Sequence, residues 1–182
     1  MGLAQLRQND MTGDTTISNP DDRNTEPIRA ALTGEDGIDF AIIELLFFAY
    51  RDFISDPDKI LAEYGFGRAH HRVVHFVNRR PGLTVAELLD VLKITKQSLA
   101  RVLKELIDGG YIVQVQGLRD RRQRELYPTQ QGRGLAVALA TPQTHRIAAA
   151  LANAAPQDRD AVERFLMGMV NPELRAQIAP GE

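Results

Sequence analysis

The chain contains no cysteine among its 182 residues, which excludes disulfides, thiolate metal sites and any peroxide switch built on a thiol. It also lacks an apolar run near the roughly 20 residues that a membrane helix needs. The most apolar stretch, Ala41 to Tyr50, is interrupted by Glu44 and followed by Arg51. Residues 1–37 are rich in Asp, Asn, Thr, Gly and Pro, have no sustained apolar period, and show neither the basic start nor the apolar core of a signal peptide. They read as a largely disordered acidic arm on a soluble, cytoplasmic protein with no membrane partner. Enzyme chemistry is missing too: there is no nucleophile with an evident base, no paired carboxylates in an apolar frame and no cofactor fingerprint. An enzyme is not expected, nor is a cofactor. Gly65-Phe-Gly67 has no preceding strand and no third glycine, so a turn between helices accounts for it better than a phosphate loop.

Net charge is small as well, at -2, but unevenly placed. Residues 93–124 hold eight Lys or Arg against three acids, a local +5, whereas residues 1–39 hold eight acids against three Arg, a local -5. The overall balance therefore hides a basic face, and it is the local balance that meets a partner.

That basic region is also the most structured in pattern. Thr84-Val-Ala-Glu87 is a capping box opening an apolar run through Leu88, Leu89 and Leu92. After a short turn, Thr95 is a second N-cap candidate, and Leu99, Val102, Leu103, Leu106 and Ile107 recur at helical spacing. Lys96, Gln97, Ser98, Arg101 and Lys104 lie off that apolar face, concentrating amides, hydroxyls and cations at the helix end that enters the major groove in helix-turn-helix proteins. Gly109-Gly110 ends the helix, Tyr111 to Val115 alternates like a half-buried strand, and Arg124 to Tyr127 is its return strand. The tip between them carries Arg119, Arg121 and Arg122, with Arg124 at its base.

Helix, turn, helix, then Leu106-Ile-Asp-Gly-Gly-Tyr-Ile112, Asp120-Arg-Arg122 and Leu126-Tyr-Pro-Thr-Gln-Gln-Gly132 resemble the winged helix of the MarR family of bacterial regulators over about residues 40 to 172. Pro128 departs from the leucine usual there. Phe47 to Phe53 and Gly67-Arg-Ala-His-His71 further resemble the PetP-type subgroup, which is linked to respiratory or photosynthetic gene expression. The resemblance implies a mainly α fold with a small β-hairpin wing: a winged helix-turn-helix at about 68–128, with N- and C-terminal dimerisation helices at about 40–55 and 129–172 and a tail at 173–182. It implies double-stranded DNA as partner, with Thr95, Lys96, Gln97, Ser98, Arg101 and Lys104 on the reading helix. Arg119, Asp120, Arg121, Arg122 and Arg124 would act from the wing, Asp120 orienting Arg122 toward the minor groove. It further implies a small, often phenolic or otherwise anionic effector in the cleft between dimer helices and winged helix, where Phe47, Tyr50, Arg51 and His75 are the candidate lining.

The residues support a homodimer independently. Ile42, Ile43, Leu45, Leu46, Phe47, Phe48 and Phe53 exceed what one domain face can cover, so a second chain is expected to bury the remainder. Further helices are expected over 68–79, 129–153 and 157–170. The plain alternatives are an ordinary solvated helix face for Lys96 to Arg101, a generic charged loop for the wing arginines, and core residues with satisfied polar tips for the effector set. His71 and His75, at i and i+4, could offer two nitrogens to zinc, yet no carboxylate or cysteine adjoins them at ligand spacing, so core or subunit contact for His70, His71 and His75 is expected, and no metal. The competing functional class is a winged-helix module that uses the same face to bind protein.

Overall fold

The computed structural model describes residues 39–117, 120–152, 158–175 and 178. The expected acidic arm (1–37) and Arg119 lie outside the described residues, as does most of the expected tail. By compactness the chain divides into residues 1–41 and 42–182, and the second unit holds nearly all of the described residues.

Helix α1 runs Phe40–Glu63, two turns beyond its expected end at Ser55. Proline normally stops a helix because its ring removes the N–H that would bond the carbonyl four residues back. Here Pro57 sits inside α1, and the carbonyl it orphans, that of Phe53, accepts instead from Gln143 Nε2 at 3.3 Å. The continuation carries Leu61 to complete burial.

After the turn at Gly65 (φ 69°) comes α2, Arg68–Arg79, whose Val73, Val74 and Val77 are buried. Strand β1, Leu83–Thr84, leads into α3, Val85–Leu92, capped reciprocally by Thr84 and Glu87: Thr84 Oγ1 accepts from the Glu87 amide at 3.2 Å, and Glu87 Oε2 accepts from the Thr84 amide at 2.8 Å. The Thr84 hydroxyl, which donates to Glu87 Oε2 at 2.6 Å, and with it the Thr84 amide hold the Glu87 carboxyl below its usual range. The turn to α4, Lys96–Asp108, needs a left-handed residue, and Lys93 supplies it at φ 50°. Arg72 Nη2 reaches across from α2 to the Leu92 carbonyl at 2.7 Å, satisfying an acceptor that the end of α3 leaves open.

Strands β2, Ile112–Gln116, and β3, Arg124–Pro128, form the hairpin, and β1 adds to the other side of β3, giving the antiparallel order β1-β3-β2. Leu83 pairs with Leu126 and Gln116 with Arg124. Pro128 ends β3 opposite Ile112, beyond the reach of β1, where its missing N–H disturbs no second ladder. Helix α5, Gln130–Ala152, is followed by α6, Asp158–Met169, and the short α7, Pro172–Arg175. One core joins Leu61, the α2 valines, Leu88 and Leu92, Leu99, Val102 and Leu106, Ile112 and Leu126, and Leu135 and Leu139. Each fully buried leucine there is worth about 2 kcal/mol, so this cluster fixes how α4 and the hairpin sit together.

Two further clasps tie the long helices to the rest. Thr129 Oγ1 donates to the Gly110 carbonyl at 2.6 Å and accepts from the Gly132 amide at 3.0 Å, while the Thr129 amide bonds Tyr111 O at 3.1 Å. The end of α4, the root of the wing and the start of α5 thus meet at one point. Farther along, Arg146 pairs with Asp56 at 2.7 Å, joining α5 to α1 beside Pro57. Among the described residues, no helix is long and apolar enough to cross a membrane.

Candidate nucleic-acid interface

Helix α4 divides cleanly into two faces. Leu99, Val102, Leu103 and Leu106 face the core, while Thr95, Lys96, Gln97, Ser98, Arg101 and Lys104 are exposed. The Thr95 hydroxyl caps the first turn, accepting from the Ser98 amide at 3.1 Å, and it also bonds the Ser98 hydroxyl at 2.9 Å. Thr95 and Ser98 therefore begin as a capping pair, and Gln97 beside them projects from the exposed side of the same turn. Two cations are tethered within the helix: Arg101 Nη1 lies 3.5 Å from Glu105 Oε1, and Lys104 bonds Asp108, which holds the ammonium above its ordinary range. Both remain largely exposed, so the tethers restrain without covering them.

The described residues of the wing loop, Asp120 to Gln123, are held through their main chain. Asp120 Oδ1 accepts from the Arg122 amide at 2.9 Å, the Asp120 carbonyl accepts from Gln123 N at 3.0 Å, and Gln116 Nε2 donates to the Arg121 carbonyl at 2.8 Å. Asp120 thus orients Arg122 through the main chain rather than by gripping its guanidinium. Gly117 closes the loop where an added Cβ would lie 2.8 Å from the Asp120 carbonyl. Asp120, Arg121, Arg122 and Arg124 are all exposed.

Helix and wing flank a common cleft of about 760 Å³, with Leu99, Leu103 and Ile107 in its wall and Lys96, Lys104, Arg122 and Arg124 around it. Four of the cations expected from sequence are therefore gathered on one side of the molecule. The arrangement can hold a polyanion across the two elements while leaving Gln97, Ser98 and Arg101 to approach base edges.

The expected effector residues are not brought together within one chain. Phe47 and Tyr50 lie on the exposed stretch of α1, and Arg51 pairs with Asp52 at 2.9 Å and lies over the Phe48 ring at 4.9 Å. His75 instead lines a cavity of about 410 Å³ between α2 and α5, with His71, Asn78, Arg79 and Arg133. Desolvation lowers both imidazoles below the ordinary histidine value, helped at His71 by His75 and at His75 by Arg79. Among the described residues there is no group of three or more His, Asp or Glu placed to hold a metal ion. His70 is buried and pairs with Glu105, a contact between α2 and α4. Neither Glu105 nor Arg72 stands out in the sequence, because their partners are 35 and 20 residues away and no local spacing betrays them.

Fold and face together define a winged helix-turn-helix protein. The MarR family profile matches residues 64–123. The HTH-type transcriptional regulator PetP of Rhodobacter capsulatus is 48% identical over 133 residues, covering 73% of this chain and 80% of the relative. Among solved structures, Streptococcus pneumoniae FabT in complex with DNA superposes with a TM-score of 0.62 at 17% identity, over 71% of this chain and 92% of that one. A structure of MarR gives 0.59 at 18% identity, over 80% and 97%. The chain belongs to the MarR family of transcriptional regulators.

Proposed function

We propose that this chain binds double-stranded DNA sequence-specifically, as a homodimer on a pseudo-palindromic operator. The observation that carries the reading is the gathering of Lys96 and Lys104 of α4 with Arg122 and Arg124 of the wing around one cleft, beside the exposed Gln97, Ser98 and Arg101 of the same helix. Gln97 and Ser98 suit base-edge readout, Arg101 suits guanine or phosphate, and Arg121, Arg122 and Arg124 suit phosphate or minor-groove contact. FabT, a structural relative, was solved with DNA, which supports the same use of the fold.

The dimer reading rests on apolar surface left open in the single chain. Leu45, Phe47 and Phe48 on α1 and Phe165, Leu166 and Met169 on α6 are exposed, more than a soluble monomer ordinarily leaves in contiguous patches. A two-fold partner covering them would set two reading helices about one turn of DNA apart. An effector, if bound in the cleft that such a partner completes, would act by favouring one spacing of those helices over another. In that arrangement Phe47, Tyr50 and Arg51 approach the cleft from the dimer helices, and His75 from α2.

The test is a mobility-shift assay of the full chain on random duplex pools, with sequencing of bound fragments at two salt concentrations. A motif with half-sites about 10 base pairs apart, and affinity falling by about a thousandfold between about 50 and 200 mM salt, is expected. No retention at low salt would end the reading and leave a protein partner for this face.

A further inference from the structure

Among the described residues His70 occupies a position unlike that of any other polar side chain in the core: it is 5% exposed and hydrogen-bonded at both ring nitrogens. Nδ1 accepts from the Gly67 amide at 3.1 Å, so the hydrogen-bond network puts the ring proton on Nε2, which lies 2.6 Å from Glu105 Oε2. The ring cannot swing, because Phe66 stacks on it at 4.5 Å between centroids and Phe66 is in turn braced edge-on by Tyr111 at 5.3 Å. One oxygen of Glu105 is therefore pinned from beneath. Its other oxygen faces Arg101, whose side chain remains 71% exposed on the outer face of α4.

An exposed Arg–Glu pair one helical turn apart is ordinarily weak, since two flexible side chains must be ordered to make it. Here one of the two is already fixed by a buried group. We propose that His70 is a positioning residue for DNA reading: through Glu105 it restricts where the Arg101 guanidinium can lie, and so pre-organises the most central cation of the reading helix. A guanidinium has five N–H donors, and one spent on Glu105 leaves the others directed outward for phosphate or guanine. His70 touches no DNA itself. The inference rests on the DNA-binding reading above and adds a buried residue to it.

The experiment compares native protein, His70→Phe, Arg101→Ala and the double variant in binding to a selected operator, with thermal unfolding of each. His70→Phe keeps the ring against Phe66 but loses both nitrogens. It is expected to weaken binding by about 3- to 10-fold, and to have no further effect once Arg101 is alanine. His70→Gln, whose amide can still donate to Glu105, should restore affinity to within about twofold of native. Independently of DNA, the Arg101 Nε–H resonance in the free protein should become more mobile in His70→Phe and not in His70→Gln, a change that loss of stability alone would not confine to one arginine. If His70→Phe does not fold, Glu105→Ala takes its place in the same cycle and the same spectra. Additive losses in the double variant, or an Arg101 resonance indifferent to His70, overturn the inference. Failure of the native protein itself to bind any duplex overturns instead the reading on which it rests.

Discussion

Gly132 offers a sharp test of how the reading unit is attached to α5. A methyl group there would place its Cβ 2.0 Å from the Tyr111 carbonyl oxygen, far inside any tolerated contact. The obstacle is backbone and held at both ends: the Tyr111 amide bonds Leu106 O at 2.9 Å, and its carbonyl accepts from Thr129 N at 3.1 Å. Gly132→Ala must therefore push α5 off the wing root or break those bonds. Overpacking of this kind costs about 1–3 kcal/mol, and a lost hydrogen bond about 1 kcal/mol more. Against this stands a gain of about 1 kcal/mol from replacing glycine by alanine within a helix. The net expectation is a loss of about 2 kcal/mol, or about 1 M in urea midpoint for a slope of about 2 kcal/mol per molar. Gly134, two residues on, is exposed in the same helix with nothing within 4 Å of an added Cβ. Gly134→Ala should thus raise stability by up to about 1 kcal/mol. Urea unfolding followed by circular dichroism, at one fixed protomer concentration, measures both. Two variants shifting the midpoint in the same direction would refute the reasoning.

Arg122→Ala should weaken binding to all duplexes by a similar factor and reduce the dependence on salt, whereas Gln97→Ala should change which sequences are selected; an unaltered selection profile removes Gln97 from the reading set. Phe47→Glu should give a folded monomer by sedimentation, since Phe47 is 71% exposed in the single chain and Leu46 beside it is half-buried. A dimer of unchanged affinity would displace the interface from α1. Stability should also fall as pH drops through the ordinary histidine value of 6.5, because the unfolded chain takes up protons there that His71 and His75 resist when folded, and it should level off below their lowered folded values. Replacing both by glutamine should flatten the difference in urea midpoint between about pH 7.5 and pH 5.5, and a native protein already indifferent over that range would contradict the assignment.

What the sequence disclosed, and what it concealed, divides along the range of the interactions. Thr84 with Glu87 and Thr95 with Ser98 are legible because a helix cap is closed within three residues. The buried face of α4 is legible from its period. Strand β1 is not, since two residues have no period and exist as a strand only by pairing with Glu125 and Leu126. The end of α1 reads too early because Pro57 is a stop signal unless something answers the Phe53 carbonyl, and Gln143 lies 90 residues away. Lys93 gives no warning of its left-handed backbone. At the candidate site the exposed cations are readable, while the His70–Glu105 contact beneath them joins positions that sequence spacing does not relate. The core placement expected for His70 agrees with its burial.

The two long helices are tied to each other near their prolines by Gln143 to the Phe53 carbonyl and Arg146 to Asp56, whereas the start of α5 is locked to the wing root through Thr129 and Gly132. This makes the first part of α5 a lever arm. From Gln130 to Pro142 it spans about 18 Å at about 1.5 Å per residue. Proline interrupts the hydrogen-bond ladder at its far end, the place where a helix bends most readily. A change of about 10° there would carry the clasped end, and with it α4 and the wing, through about 3 Å. That is close to the rise of one base pair, about 3.4 Å, so under the DNA-binding reading proposed above a modest flexure at Pro142 suffices to carry α4 through about one base step.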